Sequence, residues 1–438
     1  MENRDLQMAH RIAEEVAAQG GRVYYVGGFV RDTVLGRVCK DVDIEVHGIE
    51  EQALTEILDR LGERLEMGKS FGIFALRHYG LDIAMPKTET GEAAPFIGVE
   101  QAARRRDLTM NALMQDVLTG EIADPFGGLV HIEQRTIHPV SEKSFSHDPL
   151  RVLRAARFAA QFGFAVSEQT LACARVQDLS HIAPERVWGE LEKALTKTAH
   201  PSVFFRTLRQ MQQLGTWFPE VQALIGVEQD PRYHPEGDVW EHTMLVLDRA
   251  AELRDRAREP FWSMLSALCH DFGKTAATQE LDGRIRALGH EEAGLPLAER
   301  FLGRLSRENK MRQYVCSMVE LHMRPNLAWR QGSGDKAMCK LYDSSVCPED
   351  LLLLCEADHL GRPNAFDYAD TRRFLQVKLA LYRERMQRPF VMGEDLIREG
   401  LMPGPRFHEA LSYAHKLRLA GIEKESALKQ TLAYLRKN

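Results

Sequence analysis

Two carboxylates, Asp41 and Asp43, stand two residues apart in the stretch DVDIEV. Because successive side chains of a β-strand point to opposite faces, both carboxylates would leave one face while the apolar residues of the stretch face a core. Two like charges on one face repel each other unless a cation binds between them, and oxygen ligands of this kind suit Mg²⁺. Mg²⁺ commonly fills its remaining positions with water and substrate phosphate, so the pair predicts phosphoryl-transfer chemistry.

A glycine turn precedes the acidic strand. The run VYYV is typical of a strand and ends at Gly27 and Gly28, and a helix is predicted to begin near Phe29. Without side chains, the turn lets backbone N–H groups approach a polyphosphate closely. Each feature alone also has a structural explanation, because a Gly-Gly pair often only makes a turn and an Asp-x-Asp pair often marks the solvated face of a sheet.

The combination is more specific than its parts. Strand, glycine turn, helix and acidic strand follow in order, with twelve residues from Phe29 to Lys40 between the glycines and the acidic pair. This order resembles the nucleotidyltransferase signature of the DNA polymerase beta superfamily, which implies a third carboxylate on an adjacent strand. Asp82 is the candidate, because FGIFALRH and LDIAM are typical of a hairpin around Tyr79-Gly80 that could lie beside the acidic strand.

Helices are predicted around this small sheet. Residues 1–20 have helical apolar spacing and end in Gly20-Gly21, and EEQALTEILDRLGE after the acidic strand is typical of a crossover helix. The later segment QAARRRDLTMNALMQD predicts an arginine run followed by a helix with Asp107 and Asn111 on one face. An arginine run is usually a solvated face, but here the arginines could meet triphosphate oxygens while the helix hydrogen-bonds a ribose.

The motifs GG-VRD-LG, KD-D and RRD-T-NAL resemble those of class II tRNA nucleotidyltransferases and bacterial poly(A) polymerases. The resemblance implies catalysis by Asp41, Asp43 and Asp82 with Mg²⁺. It implies triphosphate binding by Gly27, Gly28 and Arg31, and ribose binding by Arg106, Asp107 and Asn111.

The helix in SHDPLRVLRAARFAAQFGF carries Arg151, Arg154 and Arg157 along one stripe, and all three are predicted to bind nucleotide. It stands where the family carries a nucleotide-choosing motif, Glu-Asp-x-x-Arg, whose carboxylate and guanidinium pair with the edge of an incoming C or A. Asp148 and Arg151 match two of the three motif positions. His147 stands where the family has glutamate.

A second departure from the family lies between Lys87 and Arg104, where TETGEAAPFIGVEQAA is shorter than the family's flexible loop. In the family, that loop and the motif glutamate are both associated with adding the terminal A. The two departures together predict that C addition is efficient and that A addition is slow or absent, which leaves full CCA addition as the alternative.

Histidines become dense in the second half of the chain. Six candidate metal ligands occur in the order H, HD, H, H, D, namely His242, His270, Asp271, His290, His322 and Asp358. A lone histidine on a helix is more often structural, but the stretch HDFGK resembles the HD phosphohydrolase superfamily. The resemblance implies one or two divalent ions that activate water for phosphoester hydrolysis, and imidazole ligands favour a transition metal.

The charge of the chain is uneven. The formal net charge is −6, but the segment from Arg372 to Asn438 holds fourteen Lys or Arg against seven Asp or Glu. This basic tail could bind a phosphate backbone, although a solvated helical face is the simpler interpretation. Its stretch GEDLIREGLMPGP resembles the end of many bacterial CCA-adding enzymes that carry an HD unit.

Composition limits the class of protein. With 438 residues, two to four domains are expected. The seven cysteines show no CxxC spacing, which argues against a zinc ribbon and a disulfide framework. No apolar run approaches the roughly 18 residues of a membrane span, and the start lacks the apolar core of a signal peptide. A cytoplasmic protein with reduced thiols is expected.

The sequence therefore predicts an α+β protein: a nucleotidyltransferase head at 1–140, a helical neck and body at 141–225, an HD domain at 226–370 and a tRNA-binding helical tail at 371–438. The predicted partners are tRNA, CTP and ATP, no membrane is expected, and the protein is a monomer or a homodimer. The predicted activity is addition of CCA or CC to the 3′ end of tRNA, with a second phosphohydrolase activity. The alternatives are a poly(A) polymerase, a metal-dependent phosphohydrolase whose head only binds RNA, and a noncatalytic RNA chaperone.

Overall fold

The computed structural model describes residues 4–39, 41–66 and 73–437. The chain divides into two compact units: the first contains Met1–Glu190 and Val203–Thr216, and the second contains Leu191–Ser202 and Trp217–Asn438. The first unit thus joins the predicted head to much of the predicted neck and body.

A seven-stranded sheet forms the head. Its strands are β1 (Arg22–Val26), β2 (Val42–His47), β3 (Arg64–Glu66), β4 (Ile73–Leu76), β5 (Leu81–Ala84), β6 (Met114–Asp116) and β7 (Ile122–Ala123). Their spatial order is β3-β4-β5-β2-β1-β6-β7. Strands β2 and β5 run parallel, while the other neighbours are antiparallel. The predicted hairpin, β4–β5, thus lies beside the acidic strand, as expected.

Helices cover both faces of this sheet. The first elements are α1 (Arg4–Ala17), α2 (Gly28–Val34), α3 (Glu51–Leu61), α4 (Val99–Ala103), a 3₁₀ turn (Thr109–Asn111) and α5 (Gly128–Glu133). Helices α1 and α3 cover one face, and α4 packs on the other face. One apolar cluster joins α1 and α3 to β2, and it contains Val42, Ile44 and Val46, as the alternation predicts. The first helix, the crossover helix and the helix after the glycine turn are all confirmed.

The predicted helix through Asp107 and Asn111 is wrong. Helix α4 ends at Ala103, and Leu108 has extended backbone angles. Leu108 forms a β-bridge with Pro139, and the Thr109 N–H donates to the carbonyl of His138 at 3.0 Å. Pairing with a distant segment therefore outweighs the local helical pattern.

The rest of the first unit is mainly helical. It contains β8 (Thr136–Ile137), α6 (Glu142–Ser146), α7 (Leu150–Phe162), β9 (Ala165–Val166) and α8 (Glu168–Arg175), and α9 (Pro184–Thr196), α10 (Ser202–Gln210) and α11 (Leu214–Trp217) follow. Strands β8 and β9 pair in parallel. The long arginine-bearing helix predicted from the sequence is α7.

The second unit is almost entirely helical. Its elements are α12 (Pro219–Gln222), α13 (Val239–Leu253), a 3₁₀ turn (Arg254–Arg256), α14 (Pro260–Cys269), α15 (Lys274–Ala277), β10 (Thr278–Leu281), β11 (Arg284–Ala287), α16 (His290–Leu305), α17 (Asn309–Leu321), α18 (Met323–Arg330), α19 (Asp335–Ser344), α20 (Pro348–Leu360), α21 (Ala369–Gln387), α22 (Gly393–Arg398), α23 (Pro405–Leu419) and α24 (Lys424–Lys437). Strands β10 and β11 form an antiparallel hairpin. Within the described residues, no helix has the length and apolarity that a membrane span needs. All seven cysteines are free thiols.

Candidate active sites

The register of β2 and β5 brings two of the predicted carboxylates together. Asp43 lies directly opposite Asp82 across the parallel pair, and Asp41 precedes β2 by one residue. Asp41 and Asp82 are exposed, whereas Asp43 is partly buried. Burial raises the pKa of Asp43, and the nearby charges of Asp82 and Asp41 raise it further, while Arg106 opposes them. Three carboxylates with this mutual repulsion fit a cation between them.

Gly27 allows another charge to approach the carboxylates. Its φ of 65° lies in the region that favours glycine, and a Cβ there would lie 3.6 Å from Arg106 Nη1 and 3.9 Å from Asp43 Oδ2. A larger residue would therefore strain the backbone, and its Cβ would be in van der Waals contact with both groups. The glycine turn, the arginine and the acidic strand thus meet at one place, as the sequence predicts.

Sequence reasoning missed a buried carboxylate on the same strand face. Glu45 Oε1 lies 3.0 Å from His47 Nε2, and Arg106 Nη2 donates to Glu45 Oε2 at 3.3 Å. Arg105 Nη2 lies 3.6 Å from the same oxygen. Burial opposes ionisation of Glu45, but His47 and the two guanidiniums outweigh it and lower its pKa to about 2. The period-two pattern that identified Asp43 also places Glu45 on its face, so this signal was available.

Two of the three residues predicted to bind ribose, Asp107 and Asn111, take part in a continuous polar chain. Arg31 Nη1 donates to Asn111 Oδ1 at 2.7 Å, and Asn111 Nδ2 donates to Asp107 Oδ1 at 2.9 Å. Arg154 Nε donates to Asp107 Oδ2 at 2.7 Å. Burial opposes ionisation of Asp107, but Arg154 and Asn111 lower its pKa to about 2. Asp107 and Asn111 therefore do share one site, although no helix joins them.

The chain continues along α7 to Glu190, a residue that sequence reasoning also missed. Arg154 Nη1 lies 3.7 Å from Glu190 Oε1, and Arg157 Nε donates to Glu190 Oε2 at 2.5 Å. Arg157 is buried, its Nη1 donates to Gln161, and its guanidinium stacks 3.8 Å from the centre of the Phe158 ring. The guanidinium of Arg157 is thus enclosed by protein.

Arg151 differs from the other two arginines of α7, because backbone carbonyls fix it. Its Nη1 donates to the carbonyls of Arg106, at 3.1 Å, and Ser144, and its Nη2 donates to the carbonyl of Arg105 at 2.6 Å. A guanidinium has five N–H donors. These bonds use three of them and leave Nε and one N–H of Nη2 for a further acceptor.

Asp148 is anchored at the start of α7. Its Oδ1 accepts from the Leu150 N–H at 3.1 Å, and its Oδ2 accepts from Arg186 Nη2 at 2.6 Å. Both departures from the family pattern lie near this point. Glu89, in the loop that the sequence predicts to be short, pairs with Lys143, and Lys143 and His147 both lower the pKa of Glu89. The loop and the histidine are therefore spatial neighbours.

The second unit assembles the six predicted HD ligands into one buried cluster. Asp271 lies at its centre: Oδ2 is 3.1 Å from His270 Nε2 and 3.7 Å from His242 Nε2, and Oδ1 is 3.3 Å from His290 Nε2 and 3.9 Å from His322 Nε2. The sixth residue joins through His242, whose Nε2 is 3.0 Å from Asp358 Oδ1. Sequence prediction therefore identified residues from five separate segments that meet in space.

The histidines of this cluster are oriented by one repeated device. The Nδ1 atoms of His270, His290 and His322 lie 2.7–2.8 Å from the carbonyl oxygens of the residues three positions earlier. A carbonyl can only accept, so Nδ1 carries the proton and the lone pair of Nε2 faces the cluster. This is the tautomer and orientation that metal ligation requires.

A carboxylate takes the place of the carbonyl for the fourth histidine. Glu236 Oε1 lies 2.8 Å from His242 Nδ1 and 2.9 Å from His234 Nδ1, while Glu236 Oε2 is buried and has no hydrogen-bond partner among the described residues. Two cations also reach the ligands: Lys274 Nζ is 2.7 Å from Asp271 Oδ2, and Arg362 Nη2 is 3.3 Å from Asp358 Oδ1. Sequence reasoning did not identify these partners.

The chemistry of the donors fits a divalent ion. Burial and the neighbouring His270 lower the pKa of His322 to about 3, so its imidazole is neutral. Asp271 is ionised, because His270 and Lys274 outweigh its burial and hold its pKa well below the usual range. His270 Nε2 is buried and has no hydrogen bond to any residue that the structure describes. Within the described parts of the chain, sets of three potential ligand atoms that lie within 4.8 Å of one another occur only in this region. The three carboxylates of the head do not form such a set.

Three family descriptions match successive parts of the chain. Residues 23–138 match the poly A polymerase head domain, residues 163–225 match the probable RNA and SrmB-binding site of polymerase A, and residues 239–362 match the HD domain. The head match includes the acidic strands and the arginine run. The HD match includes all six residues of the buried cluster.

Solved structures share this fold along nearly the whole chain. The CCA-adding enzyme of Bacillus stearothermophilus in complex with CTP is 24% identical, with a TM-score of 0.70, and the similarity covers 99% of this chain and 98% of that one. The Thermotoga maritima CCA-adding enzyme complexed with tRNA is 20% identical, with a TM-score of 0.67 and coverage of 99% and 96%. A CCA-adding enzyme bound to ATP is 20% identical, with a TM-score of 0.69 and coverage of 98% and 95%.

The solved structures confirm the predicted α+β fold class, and the family models match the predicted head and HD domains. The chain thus contains a region matching a poly A polymerase head domain and a region matching an HD domain, and it shares the fold of the CCA-adding enzymes.

Proposed function

We propose that this protein adds C and A nucleotides to the 3′ end of tRNA, with CTP and ATP as substrates and pyrophosphate as the product. The observation that carries the proposal is the register of Asp43 against Asp82 beside the Gly27 turn, within a matched nucleotidyltransferase head. The family similarity and the shared fold of CCA-adding enzymes solved with ATP, CTP and tRNA support the choice of substrates.

In the proposed reaction, the tRNA 3′-hydroxyl attacks the α-phosphorus, the bond to the bridging oxygen breaks, and the hydroxyl proton is lost as pyrophosphate leaves. Asp41 and Asp43 would hold Mg²⁺, with Asp82 assisting, and the ion would acidify the hydroxyl and neutralise the leaving group. The protein's own contribution is mainly positioning. Gly27, Gly28 and Arg31 would approach the triphosphate together with Arg106, whose guanidinium lies over the glycine turn.

The polar chain described above supports a ribose site around Asp107 and Asn111. Because Arg31 and Arg154 are both bonded into that chain, we propose that they fix its geometry as well as bind nucleotide. Arg157, enclosed by Glu190, Gln161 and Phe158, is proposed to act only through its neighbours.

Asp148 and Arg151 are proposed to select the base. Arg151 presents its two remaining N–H donors to a ring acceptor, and Asp148 would exchange Arg186 for an exocyclic amine. Slow addition of the terminal A stays a prediction from the sequence. It rests on the short loop and on His147, and Glu89 of that loop lies close enough to His147 for their charges to interact.

The test is incubation of the purified protein with tRNA that ends at its discriminator base, using CTP alone, ATP alone and both, followed by separation of the products at single-nucleotide resolution. CTP alone should give two additions. A ladder of A from ATP alone would identify a poly(A) polymerase instead, and no addition under any condition would contradict the proposal. A tRNA that already ends in CC, supplied with ATP, measures terminal A addition separately.

The buried histidine cluster favours a second proposed function, metal-dependent hydrolysis of phosphoesters, including 2′,3′-cyclic phosphates at RNA ends. The mixed imidazole and carboxylate donors are proposed to bind a transition metal. When bound, the ion would acidify a water molecule. Release of phosphomonoester from adenosine 2′,3′-cyclic phosphate, lost in His270→Ala, would support this function, and the absence of both bound metal and hydrolysis would contradict it.

The basic helical tail is proposed to bind tRNA, in keeping with its excess of Lys and Arg. The cytoplasmic location, the monomeric or dimeric state and the division into four domains remain predictions from the sequence. A measured mass in solution would decide the oligomeric state.

A further inference from the structure

A cavity of about 270 Å³ opens beside the HD cluster, between the segment before α13, the β10–β11 hairpin and α18. Lys274 and Arg362 form its inner wall, and both contact carboxylates of the cluster. His234 also lines the cavity and shares Glu236 with His242. The cavity is therefore separated from the six ligands only by side chains that contact them, and none of the six lines it.

Two residues that line the cavity each carry a buried polar atom without a hydrogen-bond partner among the residues that the structure describes. These atoms are Thr278 Oγ1 and Arg362 Nε. Because buried polar groups are nearly always paired, unpaired atoms on two lining side chains favour a ligand in this cavity, which those side chains would reach by rotating. Both can donate, and an anionic oxygen is the acceptor that would satisfy them best.

The outer part of the cavity carries further positive charge and an aromatic ring. Arg286 and Arg330 are exposed lining residues, and the Tyr233 ring beside them is 60% exposed. Two carboxylates, Glu228 and Asp230, also line the cavity, but Asp230 already accepts three hydrogen bonds from Arg232. Cations next to an exposed aromatic ring are the combination by which proteins bind single-stranded nucleic acid.

Size indicates how much of such a ligand lies inside. Ligand cavities usually measure at least about 300 Å³, so this one has room for a terminal group but not for a longer chain. Whatever follows that group along the chain must lie over the rim, where Arg286 and Arg330 are exposed.

We propose that the HD site binds the phosphorylated 3′ end of a single-stranded RNA, and that it prefers a dinucleotide or longer end to a mononucleotide. The terminal phosphate lies between Lys274 and Arg362, the terminal base stacks on Tyr233, and the preceding phosphate binds Arg286 and Arg330. The inference rests on the proposed hydrolase function of this domain. In hydrolysis of a terminal 2′,3′-cyclic phosphate, the water oxygen bonds to phosphorus, one ribose P–O bond breaks, and the freed oxygen takes the proton.

The test compares adenosine 2′,3′-cyclic phosphate with the dinucleotide ApA ending in the same cyclic phosphate, using the full chain and a transition-metal salt. The dinucleotide should have a kcat/KM about tenfold higher, because it adds a phosphate contact. Arg330→Ala should raise the KM of the dinucleotide about tenfold and leave that of the mononucleotide unchanged. Arg324→Ala is the matched control, because Arg324 lies on the same helix, is exposed and does not line the cavity.

Binding of both compounds is measured as well, by calorimetry with chelator present, so that the inference does not depend on turnover. Equal kcat/KM for the two substrates, or an equal effect of Arg330→Ala on both, would overturn the preference. If neither compound is hydrolysed, the hydrolase function fails, and the binding comparison still decides the inference. Tighter binding of the dinucleotide that is lost in Arg330→Ala supports it, and equal binding overturns it.

Discussion

The carboxylates of the head and the histidines of the HD domain are both proposed to bind divalent ions, but different parts of the chain fix them. In the head, strand register places Asp43 opposite Asp82, and two of the three carboxylates are exposed. In the HD cluster the rings are buried, and a hydrogen bond at Nδ1 orients each of them. The head site can therefore adjust around an arriving nucleotide, whereas the HD cluster is preorganised before any ion binds.

The largest expected effect separates the two sites most sharply. Asp43→Ala should lower nucleotide addition by about three orders of magnitude or more, because several kcal/mol of charge stabilisation is lost. Stability should hardly change, since the substitution also removes repulsion from Asp41 and Asp82. Addition rates and urea unfolding are measured together, with Asp59→Asn as an exposed control. Retention of more than a few per cent of activity would contradict the metal assignment, for Asp43→Ala and for Asp41→Ala alike.

His270→Ala should impair the HD site and leave nucleotide addition by the head intact. Loss of a buried ligand should lower metal content and reduce cyclic-phosphate hydrolysis by at least about 100-fold, while nucleotide addition by the head continues. Metal analysis after gel filtration and both activity assays are the measurements. Unchanged metal content would show that the cluster is structural, and loss of both activities would show that the two sites are not independent.

Glu236→Gln should have a smaller effect on the same cluster. One oxygen of the Glu236 carboxylate accepts hydrogen bonds from both His234 and His242. The neutral amide oxygen of glutamine accepts two such bonds more weakly, so His242 is held less firmly. Metal affinity should fall about 10- to 100-fold with every ligand still present. Metal titration of the stripped protein measures this, and the exposed Glu63→Gln provides the control. An unchanged affinity would show that Glu236 does not position His242.

The last effect concerns the stability of the head, measured as unfolding and not as activity. Glu45→Gln should lower the free energy of unfolding at pH 7 by on the order of 3 kcal/mol, because the ionised Glu45 is buried among His47, Arg105 and Arg106. The pKa of Glu45 is lowered in the folded state from 4.5 to about 2. Its stabilisation is thus complete above pH 4.5 and lost as the pH falls towards 2. Urea unfolding at several pH values should show the two proteins converging in acid, and a constant difference would contradict this.

Local periodicity and motif resemblance account for what the sequence could predict. The alternation along β2 identified the strand face that carries Asp43, and the hairpin signal placed Asp82 on a neighbouring strand. The HD residues were predicted from their types and order and from the resemblance of HDFGK to the HD phosphohydrolase superfamily. Chain order cannot show distant pairing, so the bridge from Leu108 to Pro139 was missed and a helix was expected there.

The sequence also could not predict the interaction partners of the charged residues. Arg151, Arg154 and Arg157 have the same spacing along α7, but their surroundings differ: backbone carbonyls, Asp107 and Glu190. A helical stripe indicates a shared face and says nothing about which arginine is enclosed. Glu236 was missed for the same reason, because its role depends on two imidazoles brought to it by folding.

The chain of hydrogen bonds from Arg31 to Arg157 also constrains how this protein can evolve. Each inner member contacts a neighbour on either side, and a single replacement at Glu190 leaves the buried guanidinium of Arg157 without its counter-charge. We expect strong epistasis here: a substitution that is harmful alone becomes tolerable only when its neighbour changes too. Among homologues, these positions should therefore covary in pairs, and lineages should move between alternative networks in coordinated steps instead of drifting one residue at a time.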